Sequence, residues 1–229
     1  MIEQAGRLFR VFVAPGEVFR EIREKPTWVL GFLLYWALAS TAAILLTSRV
    51  DFIEGIEAQM IAQGRQVPPN LDQAAGFFRG CSTVGGVLGP PIVCLLIALI
   101  FLSFRLVGGE FDYRQSLAIT VHGLMPRAAA ALVSIPVILS RDSFSLQEMK
   151  SASFLFSNLS FLAPENAAEW LKVLLGSLDI FTLTALALLS IGYRVAGKVP
   201  GRRAFLGVFG LWLLLVVGLV GFTALQSLR

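Results

Sequence analysis

The sequence predicts an all-α fold: a polytopic membrane helical bundle of five transmembrane helices, preceded by amphipathic N-terminal helices. Three observations predict it. The chain has 229 residues, of which 56% are hydrophobic and only 15% charged. A soluble domain carries about 25% charged residues, so this balance points to lipid as the solvent. Second, five apolar stretches are each long enough to cross a hydrocarbon core of about 30 Å. Third, the basic residues gather beside those stretches. The net charge of +4 therefore reads as membrane topology, and no nucleic-acid partner is expected.

Residues 1–27 form a cytoplasmic amphipathic segment. Ile2, Leu8, Phe9, Val11 and Phe12 alternate with Arg7 and Arg10. Pro15 suits the first position of a second helix, where Val18, Phe19 and Ile22 recur at helical spacing. Two placements are open for these helices: flat on the lipid surface, or packed on the bundle. On the first placement Phe9, Phe12 and Phe19 face one way into the interface.

Residues 28–229 form the transmembrane domain. Its first span covers 28–48. Ala37-Leu38-Ala39 fits a signal-cleavage pattern, but the apolar run exceeds the 7–15 residues of a signal core, so the span is read as retained. A polar loop follows, with one helical face formed by Phe52, Ile53, Ile56, Met60 and Ile61. The second span covers 80–104. Gly85 and Gly89 in it have the spacing that allows close helix approach. Pro90 and Pro91 free the carbonyls of Gly86 and Val87, which predicts a kink. The third span, 116–139, holds Pro126 and Pro136 as further kinks. The fourth, 173–193, contains Asp179, and the fifth covers 204–225. Cys81 and Cys94 lie roughly 20 Å apart along one helix and cannot bridge each other.

Five spans put Arg7, Arg10, Arg20, Arg23, Lys25, Arg105, Arg114, Arg194, Lys198, Arg202 and Arg203 on one side, in short segments. Arg49, Arg65, Arg79, Arg141, Lys150, Lys172 and Arg229 fall on the other, mostly in longer loops. The positive-inside rule then sets the N-terminus in the cytoplasm and the C-terminus outside.

Arg127 stands alone among apolar residues in the third span. A charge there costs about 2.5–3.5 kcal/mol on insertion scales and needs a partner or water. Asp179 lies at a depth differing by about four residues, roughly 6 Å, which an Arg side chain can cover. Pro126 also frees the carbonyl of His122 as a second acceptor for Arg127. The cluster of Arg127, Asp179 and His122 reads either as an internal pair that fixes helix packing or as an ion or substrate path. A third option has one residue snorkel to water. His122, the one histidine of the chain, reads first as a hydrogen-bonded packing residue and second as a proton relay. Gly-x-Ser-x-Gly, His-Glu-x-x-His and phosphate-loop patterns do not occur. No enzyme, catalytic residue, cofactor or metal is expected. Asn158-Leu159-Ser160 matches a glycosylation acceptor, a pattern common by chance.

Three stretches carry a family resemblance. They are 14–26, Ala-Pro-Gly-Glu-Val-Phe-Arg-Glu-Ile-Arg-Glu-Lys-Pro; Gly108-Gly109-Glu110-Phe111 leading to Met125-Pro126; and Leu178-Asp179-Ile180-Phe181 leading to Ile191-Gly192-Tyr193. The chain resembles the Yip1-domain family, above all its short prokaryotic members. The resemblance implies five membrane helices and a cytoplasmic N-terminus. Eukaryotic members are similar in the membrane part and are linked to Rab GTPases and vesicle traffic; this chain departs from them in lacking a long cytosolic N-terminal region, which puts a GTPase partner in doubt. Two functions follow as expectations. The first is a non-enzymatic adaptor or membrane-organising module, working with the bilayer and a protein partner of unknown identity. The alternative is a small transporter or channel using Arg127, Asp179 and His122. A water-lined cavity reaching Arg127 and Asp179 would favour the transporter.

Overall fold

A computed structural model describes residues 2–62, 64–151, 154–155, 157–164 and 167–226. Arg229, assigned above to the outer side, lies outside them. Helices dominate: α1 (Ile2–Val13), α2 (Pro15–Glu24), α3 (Val29–Arg49), α4 (Phe52–Ala62), α5 (Leu71–Phe101), α6 (Tyr113–Gly123), α7 (Met125–Leu139), α8 (Leu146–Ser151), α9 (Glu169–Ser177), α10 (Ile180–Val195) and α11 (Gly201–Gln226). Two short strands, β1 (Val50–Asp51) and β2 (Phe144–Ser145), pair in parallel.

The chain is a helical membrane bundle, and the expected count of five spans is not matched exactly. Among the described residues four segments are long and apolar enough to span, Val29–Arg49, Leu71–Val107, Tyr113–Leu139 and Gly201–Leu225, and Ile180–Val195 is a shorter apolar helix. The expected fourth span is instead broken at Leu178–Asp179. α10 has 16 residues, about 24 Å at 1.5 Å per residue, short of a core of about 30 Å. The physical reason is Asp179. Its carboxylate accepts the Thr182 amide at 2.8 Å, which makes it an N-cap rather than a mid-helix charge. The expected third span is also interrupted, between Gly123 and Met125, where Pro126 enters the first turn of α7 without an amide hydrogen. The helix that carries the expected second span begins before residue 80, at Leu71, and runs without a break to Phe101.

One face of the bundle gathers the N-terminal segment and the loops before α6 and before α11. Gly108, at φ +98°, turns the chain in a left-handed conformation that favours glycine. Glu110 N–H then donates to Gly197 O at 2.9 Å. Arg203 Nη1 donates to Val107 O at 2.9 Å, and Gln115 Nε2 to Arg23 O at 3.2 Å. Asp112 and Gln115 cap α6 reciprocally, at 2.7 and 3.0 Å. Beneath these loops sits Tyr193, fully buried. Its ring lies 5.0 Å from that of Phe101, 5.3 Å from Phe104 and 5.5 Å from Phe111. Its hydroxyl shares hydrogen bonds with Ser116 Oγ at 2.8 Å and Thr120 Oγ1 at 3.0 Å. The opposite face carries α4, α8 and the strand pair, with Phe52, Phe144 and Ile138 buried together. Arg49 closes this face by donating to the carbonyls of Ile138, Leu139 and Arg141 at the end of α7.

Two expectations need correction. Phe19 does not face the lipid interface: it is fully buried with Val18 and Ile22 in the main core. α2 packs on the bundle, while α1 leaves Phe9 75% and Val13 82% exposed. The reason is Arg7, almost wholly buried, which donates to Glu21 Oε2 at 2.8 Å and Thr27 Oγ1 at 3.2 Å and fastens α1 over α2. The close approach on α5 is made by Gly86, not by Gly85 and Gly89. A Cβ at Gly86 would lie 2.5 Å from Ala43 Cβ on α3, whereas Gly85 and Gly89 face open space. The Val87 carbonyl, freed by Pro91, accepts from Trp36 Nε1 at 2.8 Å and Ser40 Oγ at 3.4 Å on the same helix.

Candidate functional site at two helix breaks

The two interrupted helices meet. The end of α6 lies so close to α10 that a Cβ at Gly123 would fall 2.6 Å from Leu189 Cδ2. Just beyond each break a polar side chain sits in the first turn of the following half-helix: Arg127 on α7 and Thr182 on α10. Arg127 Nη1 donates to Thr182 Oγ1 at 2.8 Å. The same hydroxyl donates to Asp179 Oδ2 at 2.8 Å. Thr182 therefore stands between cation and carboxylate, which are beyond direct ion-pair distance.

This trio lines a cavity of about 440 Å³. Ser134, Ser157, Asn158 and Ser177 add polar atoms, while Tyr35, Ala39, Pro90, Ala131 and Trp212 supply an apolar wall. The segment around Asn158 is tied to the break. Asn158 and Asp179 form an antiparallel bridge, and Ile180 N–H donates to Ser157 O at 2.9 Å. The volume suits a small-molecule site, typically about 300–1,000 Å³ with a few convergent polar groups. Arg127 is exposed toward this space and Asp179 is 8% exposed.

The structure brings Arg127 and Asp179 together and leaves His122 out. His122 is 2% exposed, and its Nδ1 hydrogen-bonds Ala118 O at 2.9 Å. It faces a crevice lined by Gln4, Leu8, Thr27, Trp28, Leu30 and Gly31, under α1. The His122 carbonyl is taken by the Leu124 amide rather than by Arg127. Pro126 begins a helix, whereas Pro90, Pro91 and Pro136 lie within helices. Among the described residues no group of three His, Cys, Asp or Glu could hold a metal ion. Cys81 is exposed, Cys94 is buried, and both are free thiols.

A profile of the Yip1 domain matches residues 9–222. The chain belongs to the Yip1 domain family. The Bacillus subtilis (strain 168) protein called membrane protein YknW is 24% identical over 211 residues, covering 92% of this chain and 87% of that protein. An uncharacterized Methanocaldococcus jannaschii protein, MJ0794, is 29% identical over 87 residues, 36% of this chain and 60% of its own. No solved structure matches. In this Yip1 domain the stretch Leu178-Asp179-Ile180-Phe181 is the second helix break, and Gly108-Gly109-Glu110-Phe111 is the turn over Tyr193.

Thr182 and the buried hydroxyl pair Ser116 and Thr120 escape sequence reading. Asp179-x-x-Thr182 was the available signal for Thr182, since an Asp three residues before a Thr in a new helix reads as a cap.

Proposed function

We propose that this Yip1-domain protein is a non-enzymatic membrane transporter that admits a small polar ligand at the two helix breaks. The carrying observation is the cavity reaching Arg127, Thr182 and Asp179. Discontinuous membrane helices expose half-helix ends at mid-bundle, and secondary transporters place their substrate sites at such ends. Intramembrane charges that line a hydrated space also avoid the cost of bare hydrocarbon. The orientation is N-terminus inside, in the cytoplasmic membrane of a prokaryote, supported by the basic short segments.

An adaptor is the second reading, favoured by one observation. α1 presents Phe9, Phe12 and Val13 outward beside the basic face, a surface suited to lipid or to a partner helix.

Single cysteines separate the two readings. With Cys81 and Cys94 replaced, Ser134→Cys is exposed to an impermeant thiol reagent from either face of oriented vesicles. Transport predicts labelling from both faces. Labelling from the outer face alone identifies a dead-end pocket and supports the adaptor. No labelling from either face means a dry site and overturns the transporter. Controls at Gly64 and Ser143 should react from outside and one at Gly201 should not; the reverse pattern rejects the orientation.

A further inference from the structure

We infer that the ligand of this cavity is a small zwitterion, an oxyanion joined to an ammonium group by a few atoms. The inference deepens the transporter reading and rests on the cavity that carries it.

Charge comes first. Among the described residues that line the cavity, Arg127 and Asp179 are the only full charges, so this lining is net neutral. A ligand with one net charge would leave that charge uncompensated in a low-dielectric region. A zwitterion leaves none. Spare bonding capacity comes second. A guanidinium has five N–H donors in a planar fork, and Arg127 directs one hydrogen bond to Thr182. Its remaining donors suit a carboxylate or phosphate. Asp179 Oδ2 is occupied by the amide and hydroxyl of Thr182, but Oδ1 takes no hydrogen bond from a described residue. No buried side-chain oxygen or nitrogen among the described residues lacks a partner. Asp179 Oδ1 is therefore not sealed, and because Asp179 lines the cavity this oxygen can accept from an ammonium there.

Spacing comes third. Thr182 Oγ1 lies 2.8 Å from each partner, so Arg127 Nη1 and Asp179 Oδ2 are at most twice that distance apart. Both ends of one short zwitterion can reach them. Finally, the wall of Tyr35, Ala39, Pro90, Ala131 and Trp212 can hold an apolar portion. This chemistry has two sources: a free metabolite, or the headgroup of a zwitterionic lipid.

Trp212 reports on the site. The full chain, with Trp28, Trp36 and Trp170 changed to Phe, is titrated in detergent while its emission is followed. The probes are glycerophosphoethanolamine, dihexanoyl phosphatidylethanolamine, glycerol phosphate and ethanolamine. A saturable shift is expected with one or both zwitterions, and affinity for glycerol phosphate and ethanolamine, which carry charge of one sign only, should be weaker by about tenfold or more. Arg127→Gln and Asp179→Asn should each weaken zwitterion binding about tenfold or more. If Arg127→Gln fails to fold, Arg127→Lys is used, which keeps the charge but loses the fork. Response to the lipid alone assigns a headgroup, and equal response to both assigns a free ligand. Glycerol phosphate binding as tightly as the zwitterions, with Asp179→Asn indifferent, would overturn the proposal in favour of an anion site. Absence of any saturable response would also overturn it. If Ser134→Cys still labels from both faces in that case, only the ligand class is wrong; if it does not, the transporter reading falls as well.

Discussion

Replacing Thr182 with Val tests whether one hydroxyl joins the two helix breaks. Valine keeps the β-branched shape and leaves the Asp179 cap on the backbone amide intact. Lost are the bond from Arg127 Nη1 and the bond to Asp179 Oδ2, both 2.8 Å and both to a formally charged group. Hydrogen bonds to charged groups contribute about 1.5–3 kcal/mol each. Arg127 faces the cavity, so water replaces part of its loss. The expected cost is then about 1.5–3 kcal/mol in total, set mainly by the less exposed Asp179 side. At about 2–4 °C per kcal/mol for a chain of this length, Tm in detergent should fall by roughly 3–12 °C. A double-mutant cycle sharpens the test. Thr182→Val and Arg127→Gln remove the same link, so the double variant should lose less than the two singles together, by about 0.5–3 kcal/mol. A Thr182→Val protein as stable as the parent would refute the reasoning. So would strict additivity with Arg127→Gln.

Gly86→Val should destabilise the protein by about 1–3 kcal/mol through overpacking against Ala43, while Gly85→Ala and Gly89→Ala should be near neutral; thermal melts of the three variants check this. Phe19→Ser should cost at least the roughly 3–5 kcal/mol of a buried Phe truncation, whereas Phe9→Ser should leave stability unchanged and reduce quenching of an α1 label by brominated lipid. Acid should release α1. Burial alone would raise the Glu21 carboxyl, but hydrogen bonds from Arg7 and Arg10 outweigh it and hold the group below its ordinary value of 4.5. A carboxyl lowered in the folded state stabilises fully above its unfolded value, and the gain is lost as pH falls through the folded value. Hydrogen-exchange protection factors across α1 should therefore fall below about pH 4.5, and Glu21→Gln should remove that pH dependence.

Lipid imposes a simple rule on composition, and the bundle was legible for that reason. The spans of α3 and α11 are visible as uninterrupted apolar runs. The sharing of one face by Arg23, Gln115 and Gly197 follows from counting crossings. The breaks were harder to read because apolarity does not report backbone hydrogen bonding. Asp179 appears in the sequence as a costly mid-span charge for as long as the run is read as one helix, and it becomes a cap once the fold places a helix start at Ile180. Rotation about a helix axis was equally hidden. Gly85, Gly86 and Gly89 satisfy the same compositional signal, yet only Gly86 faces α3. Phe9 and Phe19 sit on similar amphipathic helices, and the ion pair between buried Arg7 and half-buried Glu21 holds α1 over α2 so that Phe19 is buried and Phe9 exposed. Thr182 carried no signal by itself, since a lone hydroxyl in an apolar run usually bonds its own helix.

Transport through the bundle requires that water enter the cavity when the protein sits in a bilayer. Spin labels attached to cysteines at Ala130 and Leu132 occupy neighbouring depths on α7, the first lining the cavity and the second 56% exposed on another face. Collision with molecular oxygen reports lipid, and collision with a water-soluble nickel complex reports water. The label at Ala130 should be relaxed mainly by nickel and the label at Leu132 mainly by oxygen. Oxygen dominance at both positions would mean that no water reaches Arg127 and Asp179, and would contradict the account.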